Sequence, residues 1–270
     1  MEAEVEKVIE NIRKYGVFEG DGEGRKEVIF DKLGCPADQK SEYVLLSGCV
    51  IPERIPQFLN AIKEFMEEVG VSYTFLSKEY CCGWLPLLQP AVIAKDSEKV
   101  NLLKKVSQEF IEANIKQAEN LGAKAIVTLC SACEPNYRNF KQATKIEIIH
   151  YIDLLARYFG GGKLELEADY YPGCYRFRRR ITDVPFDFQT PLSLLNKIEG
   201  LKLNPVNETL CCYIPPHFDE ILKSVSSRVV ITTCTGCYSK LKQELPKEKH
   251  DIKLLPEIIT EALKAQKLGA

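Results

Sequence analysis

Short apolar runs alternate with amphipathic segments along the chain, and this alternation predicts strands and helices in regular succession. Apolar runs bounded by turn residues are typical of buried strands, whereas apolar positions three and four apart indicate helices. The predicted strands are residues 43–48, 71–76, 125–129, 145–149, 166–171, 201–203, 229–233 and 251–255. The predicted helices are residues 2–14, 54–69, 97–120, 134–143, 151–159, 191–197, 217–224, 238–244 and 257–267. Residues 16–35 are rich in glycine and charge, which predicts an irregular arm.

The order of these elements occurs twice, which indicates an internal duplication. Residues 125–133 (AIVTLCSAC) resemble residues 229–237 (VVITTCTGC). Alternating strands and helices predict an α/β fold with two tandem, Rossmann-like halves, each built on a parallel sheet. Three consecutive glycines at 160–162 mark the predicted joint. We therefore predict an N-terminal helix and arm (1–41), a first cysteine-rich domain (42–162) and a second one (163–270).

Composition and charge narrow the class of protein. The chain has 270 residues, of which 45% are hydrophobic, so it can bury a core without disulfides. Its formal net charge of −2 argues against nucleic acid as a partner. The N-terminal segment lacks the apolar core of a signal peptide, and no apolar run approaches the ~18 residues of a membrane span. We expect a cytoplasmic protein that meets a membrane only through a partner, in a compartment where clustered cysteines indicate metal or redox chemistry.

All but one of the eleven cysteines fall into two copies of one pattern: a lone Cys, an adjacent Cys pair, then Cys-x-x-Cys. The first copy is Cys49, Cys81, Cys82, Cys130 and Cys133, and the second is Cys174, Cys211, Cys212, Cys234 and Cys237. The lone cysteines and the Cys-x-x-Cys motifs follow predicted strands closely. Because ligands sit at the carboxyl ends of parallel strands, each copy predicts one pocket at a sheet edge.

Five thiols in each copy are one more than a tetrahedral zinc site uses. Adjacent side chains on extended backbone point in opposite directions, so a Cys pair binds two atoms of a large cluster more easily than one ion. Iron–sulfur clusters need soft thiolate ligands and contain several irons. Zinc held by four of the thiols and a metal-free dithiol centre remain alternatives at this point.

At these residues the chain resembles the cysteine-rich CCG-domain family, which includes the disulfide-cleaving subunit of heterodisulfide reductase and the CCG part of its membrane-linked subunit. The family motif is a lone Cys, a long spacer, Cys-Cys-Gly, another spacer and Cys-x-x-Cys, usually in two copies, and the resemblance covers nearly the whole chain. It implies that each complete motif binds a non-cubane [4Fe-4S] cluster. It also implies that all ten cysteines of the two copies are ligands, and that the clusters cleave a disulfide of thiol coenzymes.

The second copy departs from the family pattern. Tyr213 stands where the motif has glycine, and residues 214–216 (Ile-Pro-Pro) replace a glycine-rich loop. The spacer between Cys212 and Cys234 is less than half as long as that between Cys82 and Cys130. We expect a bulkier and stiffer wall at the second site, with zinc instead of a cluster as an alternative there.

Further residues near the cysteines are candidates for substrate binding. Trp84 follows the first Cys-Cys-Gly, where it would shield a cluster, line a pocket or pack in the core. His150 is interpreted as a structural histidine and Cys35 as a spare thiol. Four arginines follow Cys174 and form either a solvated surface or a site for an acidic group of a substrate: Arg176, Arg178, Arg179 and Arg180.

These features predict an iron–sulfur subunit of a heterodisulfide-reductase-like complex, an oxidoreductase acting on a disulfide or thiol. No nucleotide or flavin fingerprint is visible, so electrons must come from a partner subunit that carries flavin, cubane clusters or haem. An electron-transfer or quinone-linked anchoring subunit without its own substrate is the second hypothesis. A zinc-stabilised scaffold is the third.

Overall fold

A computed structural model describes residues 3–138, 143–173, 187–207 and 210–268. The chain forms two compact units, one built mainly from residues 3–59 and 71–151 and the other mainly from residues 60–70 and 152–268. Cys174, the four arginines that follow it and the end of the helix predicted at 134–143 lie outside the described residues. Within the described part of the chain, no helix has the length and apolar character needed to cross a membrane.

The first unit is built on a four-stranded parallel sheet with the strand order β2-β1-β3-β4. Its strands are β1 (Tyr43–Leu46), β2 (Tyr73–Phe75), β3 (Ala125–Thr128) and β4 (Glu147–His150). Every residue of β1, β2 and β3 is buried, which explains why these strands read as continuous apolar runs. All four predicted strands of this half are confirmed.

The helices that precede the second sheet come before, between and after these strands in the chain. They are α1 (Ala3–Tyr15), α2 (Glu23–Lys26), α3 (Ile51–Arg54), α4 (Pro56–Glu68), α5 (Gln89–Ile93), α6 (Ser97–Asn120), α7 (Glu134–Arg138) and α8 (Tyr151–Tyr158). The predicted limits of α6 are confirmed. Asp96 caps α6, because its side chain accepts a hydrogen bond from the Lys99 amide at 2.9 Å.

The prediction of an irregular arm at 16–35 is wrong in part. The arm contains α2 and a π-helical turn (Glu27–Lys32), and it buries Ile29 and Cys35. It then runs beside β2, where the Phe75 amide donates to the Pro36 carbonyl at 2.9 Å. Positive-φ glycines at 16, 20 and 22 turn the chain so often that no apolar period develops, which hid these elements at the level of sequence.

The second unit repeats the topology of the first, with the parallel strand order β6-β5-β7-β8. Its strands are β5 (Gly162–Tyr171), β6 (Ile198–Pro205), β7 (Val229–Thr232) and β8 (Asp251–Leu254). Its later helices are α9 (Gln189–Leu195), α10 (Pro215–Ser224), α11 (Thr235–Glu244) and α12 (Leu255–Leu268). The predicted α/β fold with two similar halves is confirmed.

Candidate metal centre

The first-copy cysteines meet at the carboxyl edge of the first sheet. Cys49 follows β1 and Cys130 follows β3, two strands that are direct neighbours in the sheet. Cys133 immediately precedes α7, and the Cys81–Cys82 pair lies in the loop after β2. Parallel pairing of these strands therefore brings segments that are far apart in sequence to one edge, as predicted.

Pairwise contacts connect all five thiols of this site. The sulfurs of Cys82 and Cys133 lie 3.0 Å apart, and Cys81 hydrogen-bonds to Cys49. Cys133 also hydrogen-bonds to Cys130. Cys81, Cys82 and Cys133 are buried, whereas Cys49 and Cys130 are partly exposed. The site is thus a continuous set of sulfur atoms, closed on one side and open near Cys49 and Cys130.

The mutual contacts favour protonated thiols at this site. Hydrogen bonds with Cys130 and Cys82, together with burial, raise the pKa of Cys133 well above its usual value. The hydrogen bond to Cys49, and then burial, raise the pKa of Cys81 in the same way. For Cys82, the hydrogen bond with Cys133 lowers the pKa, but the contact with Cys81 and burial outweigh it. Since the thiolate is the metal ligand, metal binding here would release protons.

Backbone amides after the Cys pair also point at the sulfurs. Gly83 has φ +74°, and its amide lies 3.5 Å from the Cys81 sulfur, while the Trp84 amide hydrogen-bonds to the Cys82 sulfur. Successive amides around a left-handed residue make a concave anion-binding surface. Trp84 itself is buried at the start of a π-helical turn (Trp84–Leu88), directly after the Cys pair and Gly83.

Helix α6 holds the Cys pair through buried polar side chains that the sequence did not reveal as part of the site. Asn114 is fully buried, and its amide group pairs with both the N–H and the carbonyl of Tyr80, each at 2.8 Å. The same amide donates to the Tyr137 hydroxyl at 2.6 Å. Ser107 donates to the Cys82 carbonyl at 2.6 Å. The sequence did contain one indication of their role, since both polar residues lie on the apolar face of α6 beside Phe110.

Gly48, directly before Cys49, has φ +76°, and an added Cβ would lie 3.0 Å from the Cys130 Cβ. We expect Gly48→Ala to lower the free energy of unfolding by more than the ~1–2 kcal/mol of left-handed strain and to reduce metal binding at the first site. Gly34→Ala is the matched control, since Gly34 also has a positive φ but nothing lies within 4 Å of its added Cβ. Urea unfolding and metal analysis of both variants test this, and equal losses of stability and metal would contradict it.

In the second unit, the described cysteines form a similar group around Tyr213. The sulfurs of Cys212 and Cys237 lie 3.4 Å apart, and Cys237 also hydrogen-bonds to Cys234. Burial raises the pKa of Tyr213 to about 12, and the charges of the neighbouring cysteines act in the same direction. Tyr213 is nevertheless about half exposed, so it covers the site from the solvent side.

The two sites differ in the residue that follows the Cys pair and in the backbone after it. Gly83 in the first copy is left-handed, whereas Tyr213 is absent from the positive-φ residues of the described chain. The chain after Tyr213 enters α10 through extended Ile214 and a proline in the first turn. In this copy the Cys211 amide donates to Nδ1 of His217, a contact that the sequence did not predict.

The other sequence candidates are placed as follows. His150 is buried at the end of β4, packs against Tyr151 with ring centroids 4.3 Å apart, and lies 3.4 Å from the Ser131 hydroxyl. Cys35 is buried in the N-terminal arm, where its amide donates to the Ile29 carbonyl. The structural interpretation of His150 and the interpretation of Cys35 as a spare thiol stay predictions.

The chemistry of the donor set fits an iron–sulfur cluster. The first-copy ligands are thiols, the donors that iron–sulfur clusters require, and all ten cysteines of the described residues are free of disulfides. Asn136, one helical turn beyond Cys133, is buried, and its amide nitrogen has no partner among the described residues, as expected for a donor beside a bound group that accepts hydrogen bonds. Within the same residues, no three or more His, Cys, Asp and Glu side chains form a group able to hold a single metal ion.

A parallel α/β scaffold that gathers five thiols at a strand edge defines a cysteine-rich domain of the metal or redox class. Residues 43–137 match the family described as CCG, the cysteine-rich domain, and they contain the complete first copy. The resemblance to the CCG-domain family is therefore confirmed for this segment. The match supports iron–sulfur binding and redox activity in general.

Curated relatives extend the likeness beyond this segment. The chain is 24% identical over 82% of its length to lactate utilization protein A of an Exiguobacterium species, covering 97% of that protein. It is 22% identical over 69% of its length to lactate utilization protein A of Bacillus pumilus, covering 78% of that protein. The similarity to these relatives therefore includes the second unit.

Solved structures resemble the chain only distantly. An aspartate racemase homologue from Pyrococcus horikoshii has a TM-score of 0.37 at 14% identity, covering 84% of this chain and 98% of its own. A putative Asp/Glu racemase from Yersinia pestis has a TM-score of 0.36 at 12% identity, covering 84% of this chain and 97% of its own. Scores this low imply neither a shared fold nor a shared activity.

Proposed function

We propose that the protein is the iron–sulfur subunit of a heterodisulfide-reductase-like complex, with one non-cubane [4Fe-4S] cluster in each half. The observation that carries the proposal is the continuous, largely buried set of five sulfur atoms at the carboxyl edge of the first sheet. The proposed ligands are Cys49, Cys81, Cys82, Cys130 and Cys133 for the first cluster, and Cys174, Cys211, Cys212, Cys234 and Cys237 for the second.

When bound, such clusters supply one-electron steps and iron atoms that bind sulfur. The chain's own residues bind and orient the clusters. Amides of Gly83 and Trp84 hydrogen-bond to the ligand sulfurs, and the buried indole of Trp84 excludes water from the first site. In the second site, Cys234 and Tyr213 are accessible from solvent, which suits contact with a disulfide or thiol substrate.

Reduction of a disulfide to two thiols takes two electrons and two protons. A partner subunit that carries flavin, cubane clusters or haem would supply the electrons, and solvent at the open side of the site would supply the protons. The arginines that follow Cys174 are proposed to bind an acidic group of the substrate: Arg176, Arg178, Arg179 and Arg180.

A second candidate is an electron-transfer subunit without its own disulfide substrate. The relatives named lactate utilization protein A suggest it, because they match most of the chain and their name refers to lactate and not to a disulfide. In this case the clusters would relay electrons between partner subunits of an assembly concerned with lactate. Zinc in the second site is the remaining alternative, since Tyr213 replaces the motif glycine there.

Anaerobic purification with iron, acid-labile sulfide and zinc analysis tests the proposal. We expect about eight irons and matching sulfide per chain, with two electron paramagnetic resonance (EPR) signals on partial reduction. Stoichiometric zinc without sulfide would overturn the cluster assignment. Assays of disulfide substrates with an artificial reductant separate the two candidates, since an iron-loaded protein that turns over no disulfide would be an electron-transfer subunit.

A further inference from the structure

Glu79 is a buried carboxylate that connects the first two cysteine segments of the first site. It is 3% exposed and lies two residues before Cys81. Its Oε1 accepts from the Gly48 amide at 2.7 Å, and its Oε2 accepts from the Ser47 amide and lies 2.8 Å from the Ser47 hydroxyl. The loop that presents Cys49 is therefore tied to the segment that presents the Cys pair.

The N-terminal arm fixes Glu79 from its other side. Arg25, which is 2% exposed, donates from Nη1 to the Glu79 carbonyl at 2.8 Å. The Gly16 carbonyl accepts from the Cys81 amide at 2.8 Å. The arm thus holds the backbone on both sides of Tyr80, while the carboxylate of Glu79 remains directed at the Ser47–Gly48 turn.

The carboxylate also carries charge into the interior of the first site. Three donor groups of Ser47 and Gly48 contact its two oxygens, which makes it the acceptor at this turn. Burial, and next the charge of Glu79, raise the pKa of Tyr137 well above its usual value, and the charges of Cys82 and Cys133 act on the same hydroxyl. The Glu79 carboxylate and these two thiols therefore act electrostatically on one buried side chain.

The second half lacks the counterpart of this arrangement. Pro172 occupies the position of Ser47 and has no N–H to donate, and its carbonyl accepts a hydrogen bond from the Thr233 hydroxyl. The residue two positions before the second Cys pair is Thr209, which carries no charge. The sequence position of Glu79 therefore carries a carboxylate in the first copy and a threonine in the second.

We propose that Glu79 is a positioning residue for the first cluster, which sets the placement of Cys49 against the Cys pair and lowers the reduction potential of that cluster alone. The inference rests on the proposed function, that these thiols hold a cluster. Adding an electron beside a fixed negative charge in a poorly solvated interior is unfavourable. Glu79 also occupies the amides of Ser47 and Gly48, and hydrogen bonds from amides to cluster sulfur are among the factors that set cluster potentials.

The test uses the full chain with Cys234→Ser and Cys237→Ser, so that the first cluster dominates the EPR spectrum. In this parent, Glu79→Gln keeps the size of the side chain and removes the charge, and its NH2 group replaces one of the two accepting oxygens. At a fixed potential near the midpoint, we expect the reduced-to-oxidised ratio to rise about tenfold, equivalent to about 59 mV for one electron. The EPR spectrum should change as well. Ser47→Ala removes a hydroxyl that partly neutralises the carboxylate, so its shift should have the opposite sign.

Asp169→Asn is the matched control, because Asp169 is a buried carboxylate bound to the amides of Ser226 and Ser227 before β7, at the end of the second sheet away from the cysteines. It should destabilise the fold and leave the first-cluster potential unchanged. An unchanged potential in iron-loaded Glu79→Gln would overturn this inference and leave the proposed function standing. Shifts of the same sign in Glu79→Gln and Ser47→Ala would do the same. If Glu79→Gln does not fold, Ser47→Ala is the deciding variant. An unchanged or raised reduction potential of the first cluster in Ser47→Ala then overturns the inference. A parent without iron and sulfide overturns the proposed function and this inference together.

Discussion

Replacing Cys82 and Cys133 together with serine is expected to remove the first cluster and to leave the second in place. Their sulfurs are 3.0 Å apart and buried, and each also contacts another cysteine of the site, Cys81 and Cys130 respectively. Removing both sulfurs therefore separates Cys49 and Cys81 from Cys130. Iron should fall from about eight to about four per chain, and one of the two EPR signals should disappear.

Two control variants test whether the loss of iron is specific to the first site. Cys212→Ser with Cys237→Ser should remove the other half of the iron, because these sulfurs form the equivalent contact at 3.4 Å. Cys35→Ser replaces a buried thiol of the N-terminal arm and should keep the full iron content. Full iron in both double variants, or an equal loss in Cys35→Ser, would show that the two copies are not two separate cluster sites.

The strands were predictable because their physical signal is local. Residues of β1 and β3 are buried on both faces, so each strand is an uninterrupted apolar run, and the repeated order of elements gave the parallel α/β topology. The short helices around the first site gave no such signal. The π-helical turn Trp84–Leu88 and α5 each contain a proline, and neither is long enough to establish a helical period.

The thiols of the site were predictable because their spacing is visible in the sequence. The residues that hold the cysteine segments in place were not predictable. The doubled cysteine pattern is visible in the sequence, whereas Glu79 stands between Lys78 and Tyr80 in a stretch that looks like any polar loop. Its role depends on contacts with Ser47 and Gly48, which the sheet brings near from more than 30 positions earlier. Long-range contacts of this kind leave no periodic trace.

Asn114→Ala is expected to destabilise the first unit by about 2–4 kcal/mol, since three hydrogen bonds lose their partner. The Asn114 amide binds the N–H and the carbonyl of Tyr80 and the hydroxyl of Tyr137, and it is fully buried. A buried donor or acceptor without a partner costs more than the original bond contributed. Urea unfolding of the metal-free protein measures the loss.

The same substitution should also weaken the first site, because Tyr80 directly precedes the Cys pair and Asn114 fixes its backbone. We expect iron at the first site to be lost at lower chelator concentrations, while the second site is unaffected. Asn101→Ala on the exposed face of α6 is the control and should change stability by no more than about 0.5 kcal/mol. A loss of stability without weaker iron binding would show that α6 supports the fold alone. A loss of stability together with weaker iron binding would show that α6 also positions the Cys pair.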